Sequence, residues 1–275
     1  MEEKAQEKTH IKPFLKWAGG KRWFVRKHSD LFPEEFNRYI EPFLGSGAVF
    51  FHLQPKNAIL GDLSKDLINT YQAIKDDWSL VYRYLKEHHN NHSKDYYYKV
   101  RSSSLSSPAS KAAKFIYLNR TCWNGLYRVN LKGQFNVPIG TSDSVIFQDD
   151  NFKETSLLLQ NAELHSADFE DLLDGATEGD LVFIDPPYTV RHNYNAFVKY
   201  NEKLFSWPDQ ERLFFAVKRA QNRGAHVIGT NAYHSTVRKL YCGTFKTKKT
   251  SRSSSISSKT ETRSNYEELI IYTEK

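Results

Sequence analysis

Six short apolar runs, at residues 39–40, 58–60, 162–165, 181–184, 225–229 and 269–272, alternate over much of the chain with stretches of helical periodicity. Alternation of this kind predicts an α/β fold built on a parallel, doubly wound sheet. Residues 64–89 read as one long helix or a helix pair, because Ser64 can cap the start and Leu67, Ile68, Tyr71 and Ile74 recur at helical spacing. A further helix starts near Ser206. Pro208 and Asp209 suit its first turn, Leu213, Phe214, Val217 and Ala220 form its apolar stripe, and Gly224 stops it.

From residue 77 to residue 150 the alternation lapses, and the composition turns to Tyr, Ser, Lys and Asn with a Ser-rich break at 102–107. This segment reads as a mostly helical subdomain inserted into the sheet domain. The 275 residues suffice for a large α/β core carrying such an insertion. Cys122 and Cys242 fit no metal-ligand spacing, so a reducing, cytosolic setting without structural zinc is expected. The first twelve residues lack the apolar stretch of a signal peptide, and no segment reaches membrane-spanning length. A soluble intracellular protein is the expectation.

The apolar run Leu181-Val182-Phe183-Ile184 leads directly into Asp185-Pro186-Pro187-Tyr188. Proline fixes its own φ, lacks an N–H and pushes the preceding residue toward extended backbone, so two in a row make a stiff corner. The Asp185 carboxylate and the Pro186 carbonyl are acceptors able to face one planar NH2 group, while Tyr188 can stack on the ring that bears it. Holding both amine hydrogens frees the nitrogen lone pair from the ring and aims it at an electrophile, for which a sulfonium methyl is suited. The plain alternative is a buried strand that ends in a Pro-Pro turn.

Gly45 and Gly47, in Pro42-Phe43-Leu44-Gly45-Ser46-Gly47, fall at the first strand-to-helix turn and let backbone approach a ligand closely. A nicotinamide fingerprint would place a third glycine where Phe50 stands, which argues against a dinucleotide and an oxidoreductase. Asp62 ends the next strand and is placed for ribose hydroxyls, so the pair suits an adenosine-containing cofactor; a tight turn and a helix-capping Asp62 are the structural alternatives. At the end of the following strand Asp168 can accept from an adenine amine and Phe169 can pack on its face. Near the N-terminus, Lys16-Trp17-Ala18-Gly19-Gly20-Lys21 joins a flexible turn to an aromatic ring and two cations. Lys21 can neutralise a carboxylate and Trp17 can pack on a cofactor, or the segment is a basic loop anchored by one tryptophan.

Lys and Arg total 39 against 32 Asp and Glu, a formal charge of +7 that favours a polyanionic partner. Between Phe245 and Arg263, Lys246, Lys248, Lys249, Arg252, Lys259 and Arg263 face a single acid, Glu261, among serines and threonines able to bond phosphate. A solvated basic loop is the bland reading.

With these motifs in one order, the chain resembles the Dam-type (D12 class, alpha group) family of DNA adenine-N6 methyltransferases, over residues 14–272. The resemblance implies a Rossmann-like sheet with a reversed C-terminal hairpin, S-adenosylmethionine as cofactor, and a catalytic domain of residues 1–70 and 151–275. Residues 71–150 would then be an inserted target recognition domain. It casts residues 119–130, with Gly133-Gln134-Phe135-Asn136-Val137-Pro138, as the family's DNA-reading hairpin. Within that hairpin Arg128 offers a fork to guanine, Asn124 pairs with a base edge, and Trp123 and Leu126 wedge into the stack as the adenine swings out. A plain reading makes Asn124-Gly125 the hairpin turn, with Trp123 and Tyr127 in a small core.

By the same resemblance Lys16 reaches the recognition site, as do Pro138, Lys248 and Arg252 from the hairpin and basic segment. Trp17, Lys21, Phe43, Gly45, Gly47, Asp62, Asp168, Phe169 and Asp185 line the cofactor pocket, and Asp185, Pro186, Pro187 and Tyr188 form the catalytic corner. No metal is implied. The partner is double-stranded DNA, with a monomer expected and pairing on DNA the alternative, in a bacterial, archaeal or phage-infected cytoplasm. GATC is the family-level expectation for the target site. Trp123 stands where the family often carries Tyr or Phe, and the residues after Pro138 are not basic, which leaves the target sequence open. An RNA adenine or protein glutamine methyltransferase could share the acceptor corner, and a catalytically silent DNA-binding homologue could share the fold. Restriction, repair timing and phage roles would use one scaffold.

Overall fold

Local rules read in the sequence shape the elements. A computed structural model describes residues 10–130, 133–189, 205–253 and 265–274. In chain order these form α1 (Arg22–His28), β1 (Tyr39–Glu41), α2 (Ala48–Leu53), β2 (Ala58–Gly61), α3 (Lys65–Asn90), α4 (Lys94–Ser102), α5 (Pro108–Thr121), α6 (Phe152–Leu159), β3 (Ala162–His165), α7 (Phe169–Asp174), β4 (Leu181–Ile184), α8 (Trp207–Asn222), β5 (His226–Ala232), α9 (Ser235–Tyr241), β6 (Lys246–Ser253) and β7 (Asn265–Tyr272). Two compact units result, one of Met1–Val25, Gly45–Gln54 and Asn69–Gln160, the other of Arg26–Leu44, Pro55–Ile68 and Asn161–Lys275.

The second unit holds a seven-stranded sheet in the order β3-β2-β1-β4-β5-β7-β6. The first five strands run parallel, and β7 enters antiparallel between β5 and β6. This is a Rossmann-like, mostly parallel sheet with a reversed C-terminal hairpin. All four residues of β4 are buried, as a central strand covered on both faces requires. Val182 and Ile184 point to one face, where Leu213, Phe214, Val217 and Ala220 of α8 pack with Leu173 of α7 and Val237 of α9. Phe183 points to the other, against Phe32 at 6.4 Å. The expected stripe of α8 is therefore its buried face. Ser206 and Asp209 cap that helix reciprocally, and Gly224 follows its end at φ +91°.

Strand β6 was not legible as a strand. Its sequence, KTKKTSRS, has no apolar alternation because it is the outermost strand of the sheet, where charged side chains discourage further pairing. Residues 254–264, with the Lys259, Glu261 and Arg263 of the basic run, lie outside the described residues.

In the first unit, α3 breaks at Asp77 (φ −153°, ψ +80°), which realises the helix-pair alternative. Asp77 Oδ1 accepts from Leu80 N at 3.0 Å and so caps the second half. Phe14 packs on Phe51, Tyr71 and Phe152. Arg120 of α5 is wholly buried. It donates to the Phe14 carbonyl through Nε and Nη2, reaches both Asp150 oxygens at 2.6 Å, and lies 4.1 Å from the Phe147 ring centre. A buried guanidinium persists only when its donors are met this fully.

Residues 71–150 fall within this unit, which also includes the N-terminal segment and the glycine turn. After α5 the chain makes a narrow ladder. Trp123 N donates to Pro138 O, Gly140 N to Thr121 O, Asn136 N to Arg128 O and Asn130 N to Gln134 O. The pairing arms are 121–130 and 134–140, so Asn124-Gly125 is not the hairpin turn that the Asn-Gly pair suggested. Asn124 (φ +53°) and Gly125 (φ +62°) do make a tight left-handed turn, closed by Leu126 N on Trp123 O at 3.2 Å, but inside one arm. Asn-Gly encodes the turn; the distant partner strand decides whether a hairpin hinges there.

Candidate functional site

Parallel pairing sets the level of each strand end. Ile184 lies opposite Gly229, Gly61 opposite His165 and Glu41 opposite Leu60, so Phe43, Asp62, Asp168 and Asp185 all follow strands on one edge of the sheet, with Thr230 of β5 one residue past its last pair with β4. That carboxyl edge is where open α/β sheets bind ligands.

Asp185 directly follows β4 and is partly exposed, and its Oδ1 accepts from Thr230 Oγ1 at 2.8 Å. Pro186 is buried and Pro187 partly exposed; the Pro187 carbonyl accepts from Gln210 Nε2 at 3.5 Å, and Asn231 Nδ2 in turn donates to Gln210 Oε1 at 2.9 Å. The rigid corner is thus tied to α8 and β5. Tyr188 is a partly exposed residue that donates its buried hydroxyl to Glu268 Oε2 at 2.7 Å. Burial, and then the charges of Asp185 and Glu268, hold its phenol well above the ordinary tyrosine range.

Asp62 Oδ1 accepts from Ser64 N at 2.9 Å, a local turn at the mouth of α3. Asp168 caps α7, accepting from Glu170 N, and also pairs with Arg212 at 2.8 Å. Phe169 is buried, with its ring stacked on Phe43 at 5.6 Å and the Arg212 guanidinium 4.9 Å from its centre. Phe43 is the member of that aromatic pair left partly exposed. Two carboxylates and one accessible phenyl ring at neighbouring strand ends are an acceptor and stacking set that fits an adenosine.

The glycine turn belongs to the first unit. Gly45 has φ +49°, and a Cβ there would come within 2.8 Å of the Trp17 indole; Gly47 caps α2 at φ +65°. Trp17 is itself stacked on Tyr127 at 5.8 Å, and Tyr71 donates its hydroxyl to the Gly45 carbonyl. The backbone here is pressed against an aromatic wall that only glycine admits. Lys21 is buried and donates to Gly19 O at 2.7 Å.

A model of the D12 class of N6 adenine-specific DNA methyltransferases matches residues 17–263. The chain belongs to this family. The type II methyltransferase M1.LlaDCHI of Lactococcus lactis subsp. cremoris is 37% identical over 245 residues, covering 86% of each chain. The type II methyltransferase M.MjaIII of Methanocaldococcus jannaschii is 35% identical over 246 residues, covering 82% of this chain and 85% of the relative. The DNA adenine methylase of Haemophilus influenzae is 32% identical over 273 residues, covering 96% and 94%. Membership in this D12 family makes the protein an adenine-specific DNA methyltransferase and implies S-adenosylmethionine and a DNA substrate. Among the described residues no group of His, Cys, Asp or Glu is arranged to hold a metal, and no helix is long and apolar enough to cross a membrane.

The residues expected at a D12 DNA interface have varied surroundings. Trp123 is 49% exposed rather than in a small core, whereas Tyr127 does pack, on Trp17, Phe115 and Phe135. Asn124 and Arg128 are exposed, and Arg128 Nε donates to Asn136 Oδ1 at 2.9 Å. Leu126 is partly exposed, and Pro138 is exposed. Lys16 Nζ donates to Arg120 O at 2.7 Å and Ser142 Oγ at 3.3 Å, and burial holds its ammonium below the usual lysine range.

On the hairpin Lys248 is exposed, but Lys246 pairs with Glu274, Lys249 with Glu267 and Arg252 with Glu268. The window 245–263 shows one acid; β7 supplies two more, and Glu274 just after it a third. Thr230, Gln210, Asn231 and Glu268 had no sequence signal of their own, and only strand register, set between segments far apart in the chain, reveals them.

Proposed function

We infer that the protein moves a methyl group to N6 of an adenine turned out of duplex DNA, with the Asp185-Pro186-Pro187-Tyr188 corner as the catalytic element. The observation that carries this is the corner's support: Thr230 holds Asp185, Gln210 holds the Pro187 carbonyl and Glu268 holds Tyr188. A corner fixed at three points can present acceptors to an amine without reorganising. Asp185 and the Pro186 carbonyl accept the two hydrogens of N6, and Tyr188 stacks on the base. Asp185, or water, takes a proton from the amine once it has become acidic, so no strong base is needed beforehand.

S-adenosylmethionine, when bound, supplies a methyl on a positively charged sulfur. Asp62 would hold its ribose hydroxyls, Asp168 its adenine amine and Phe43, backed by Phe169, the adenine face; Trp17, Lys21, Gly45 and Gly47 would complete the binding set. We assign residues 71–150 to target recognition, with Arg128 reading guanine, Asn124 a base edge and Trp123 and Leu126 wedging into the stack. Lys16, Pro138, Lys248 and Arg252 would support DNA binding. GATC is the expected site, a monomer the expected form and the cytoplasm the expected setting.

Incubation with labelled cofactor and duplex DNA, followed by long-read sequencing of plasmid from expressing cells, tests this reading. Methyl-adenine in one short motif is expected, and Asp185→Ala should abolish it while cofactor binding and folding are largely retained. Unmodified DNA from the wild-type protein overturns the reading.

A further inference from the structure

Glu268 occupies a position where a carboxylate is costly. It lies on β7 between two paired strands, opposite Ala232 of β5 and Thr250 of β6, and is 1% exposed. Burying a charge there is tolerated only if the charge is met. Arg252, two residues beyond Thr250 on β6, reaches diagonally across the ladder and donates through Nε to Glu268 Oε1. The second oxygen takes the Tyr188 hydroxyl. Each oxygen therefore has its own donor, one a guanidinium and the other the phenol of the proposed catalytic corner.

The Tyr188 hydroxyl is buried, so the partner it has inside the protein decides where it points. The phenolic O–H lies in the plane of its ring by conjugation. An acceptor fixed to one side of it therefore sets both where the ring tip sits and which way the ring faces point, a torsion otherwise broad. The geometry points to Glu268, held by Arg252, as a positioning residue for methyl transfer: it fixes the face that Tyr188 offers to the target base. This rests on Tyr188 being the ring that stacks on the base, as proposed above. It also gives the reversed hairpin a task besides closing the sheet, since β7 alone carries the carboxylate to the corner.

Three variants and one spectroscopic probe test the role. Glu268→Gln should lower kcat about tenfold while KM for DNA and cofactor affinity move by less than about threefold. Tyr188→Phe should give a comparable fall, and the double variant should fall no further than the worse single one, because both act on the same contact, which Gln weakens by losing the charge and offering an NH2 beside its one acceptor oxygen. Multiplicative losses in the double variant would overturn the positioning role. Independently of any substrate, a fluorotyrosine at position 188 should give one narrow fluorine resonance in the otherwise wild-type protein and a broadened or split one with Glu268→Gln. An unchanged resonance overturns the proposal. Should Glu268→Gln fail to fold, Arg252→Lys, which keeps the charge but loses the fork, is read by the same resonance and the same criterion. A wild-type protein that leaves DNA unmethylated would sink the functional reading instead, and the resonance would still decide whether Glu268 orders the ring.

Discussion

Thr230 Oγ1 donates to Asp185 Oδ1 at 2.8 Å, across the pair of parallel strands whose last matched residues are Ile184 and Gly229. The hydroxyl anchors one carboxylate oxygen, which leaves the rotation of the Asp185 side chain little freedom. Thr230→Val keeps the shape and removes the donor. The Thr230 hydroxyl also bonds the Tyr188 phenol, and one lost hydrogen bond to a charged group is alone worth about 1.5–3 kcal/mol, so methyl transfer should fall by about tenfold or more, chiefly in kcat. Steady-state kinetics on a duplex substrate check this; an unchanged kcat would show that Asp185 is held by other means.

Gly45→Ala combines a backbone cost with a steric one. A side chain at φ +49° is disfavoured by about 1–2 kcal/mol. The new Cβ also meets the Trp17 indole at 2.8 Å, and Trp17 is fixed in turn against Tyr127. The variant should lose about 2–4 kcal/mol of stability in urea unfolding. In a Trp17→Ala background the same change should cost less, because only the backbone part remains. Equal losses in both backgrounds would remove the steric account.

His88 gives stability a pH dependence. Its ring stacks on Tyr117 at 4.9 Å, its Nδ1 lies 2.9 Å from the Tyr96 hydroxyl, and burial, then the charge of Lys114, pushes its pKa from 6.5 down to about 4. The unfolded chain therefore binds a proton more readily than the folded one between those values. The stability due to neutral His88 is complete above pH 6.5 and is lost as pH falls toward about 4. The thermal midpoint should decline over that interval, and His88→Gln should flatten the decline. Parallel curves for the two proteins would count against the assignment.

Arg128 is exposed and its Nε donates to Asn136 Oδ1, and on the reading proposed above its guanidinium reads guanine. Arg128→Ala should relax or abolish the choice of site at a cost of about 1–3 kcal/mol, while transfer to non-cognate adenines persists. Sequencing methylated plasmid reports the change directly; an unaltered motif would take Arg128 out of base reading.

Sequence by itself placed β3 and β4 to the residue, the start and stop of α8, and the order of motifs that marks the family, while over residues 64–89 it admits either one long helix or a helix pair. Those signals are local: side-chain periodicity, caps, and the restricted backbones of proline and glycine act within a few residues. Tertiary structure alone decided that KTKKTSRS is an edge strand, that Glu267 and Glu268 of β7 and Glu274 just after it are set against its cations, and that the narrow ladder does not reverse at Gly125. It likewise brought Thr230 to Asp185 and Glu268 to Tyr188. The reason is common to all of these: strand register between distant segments determines which polar groups meet, and no short-range pattern in the chain encodes that pairing.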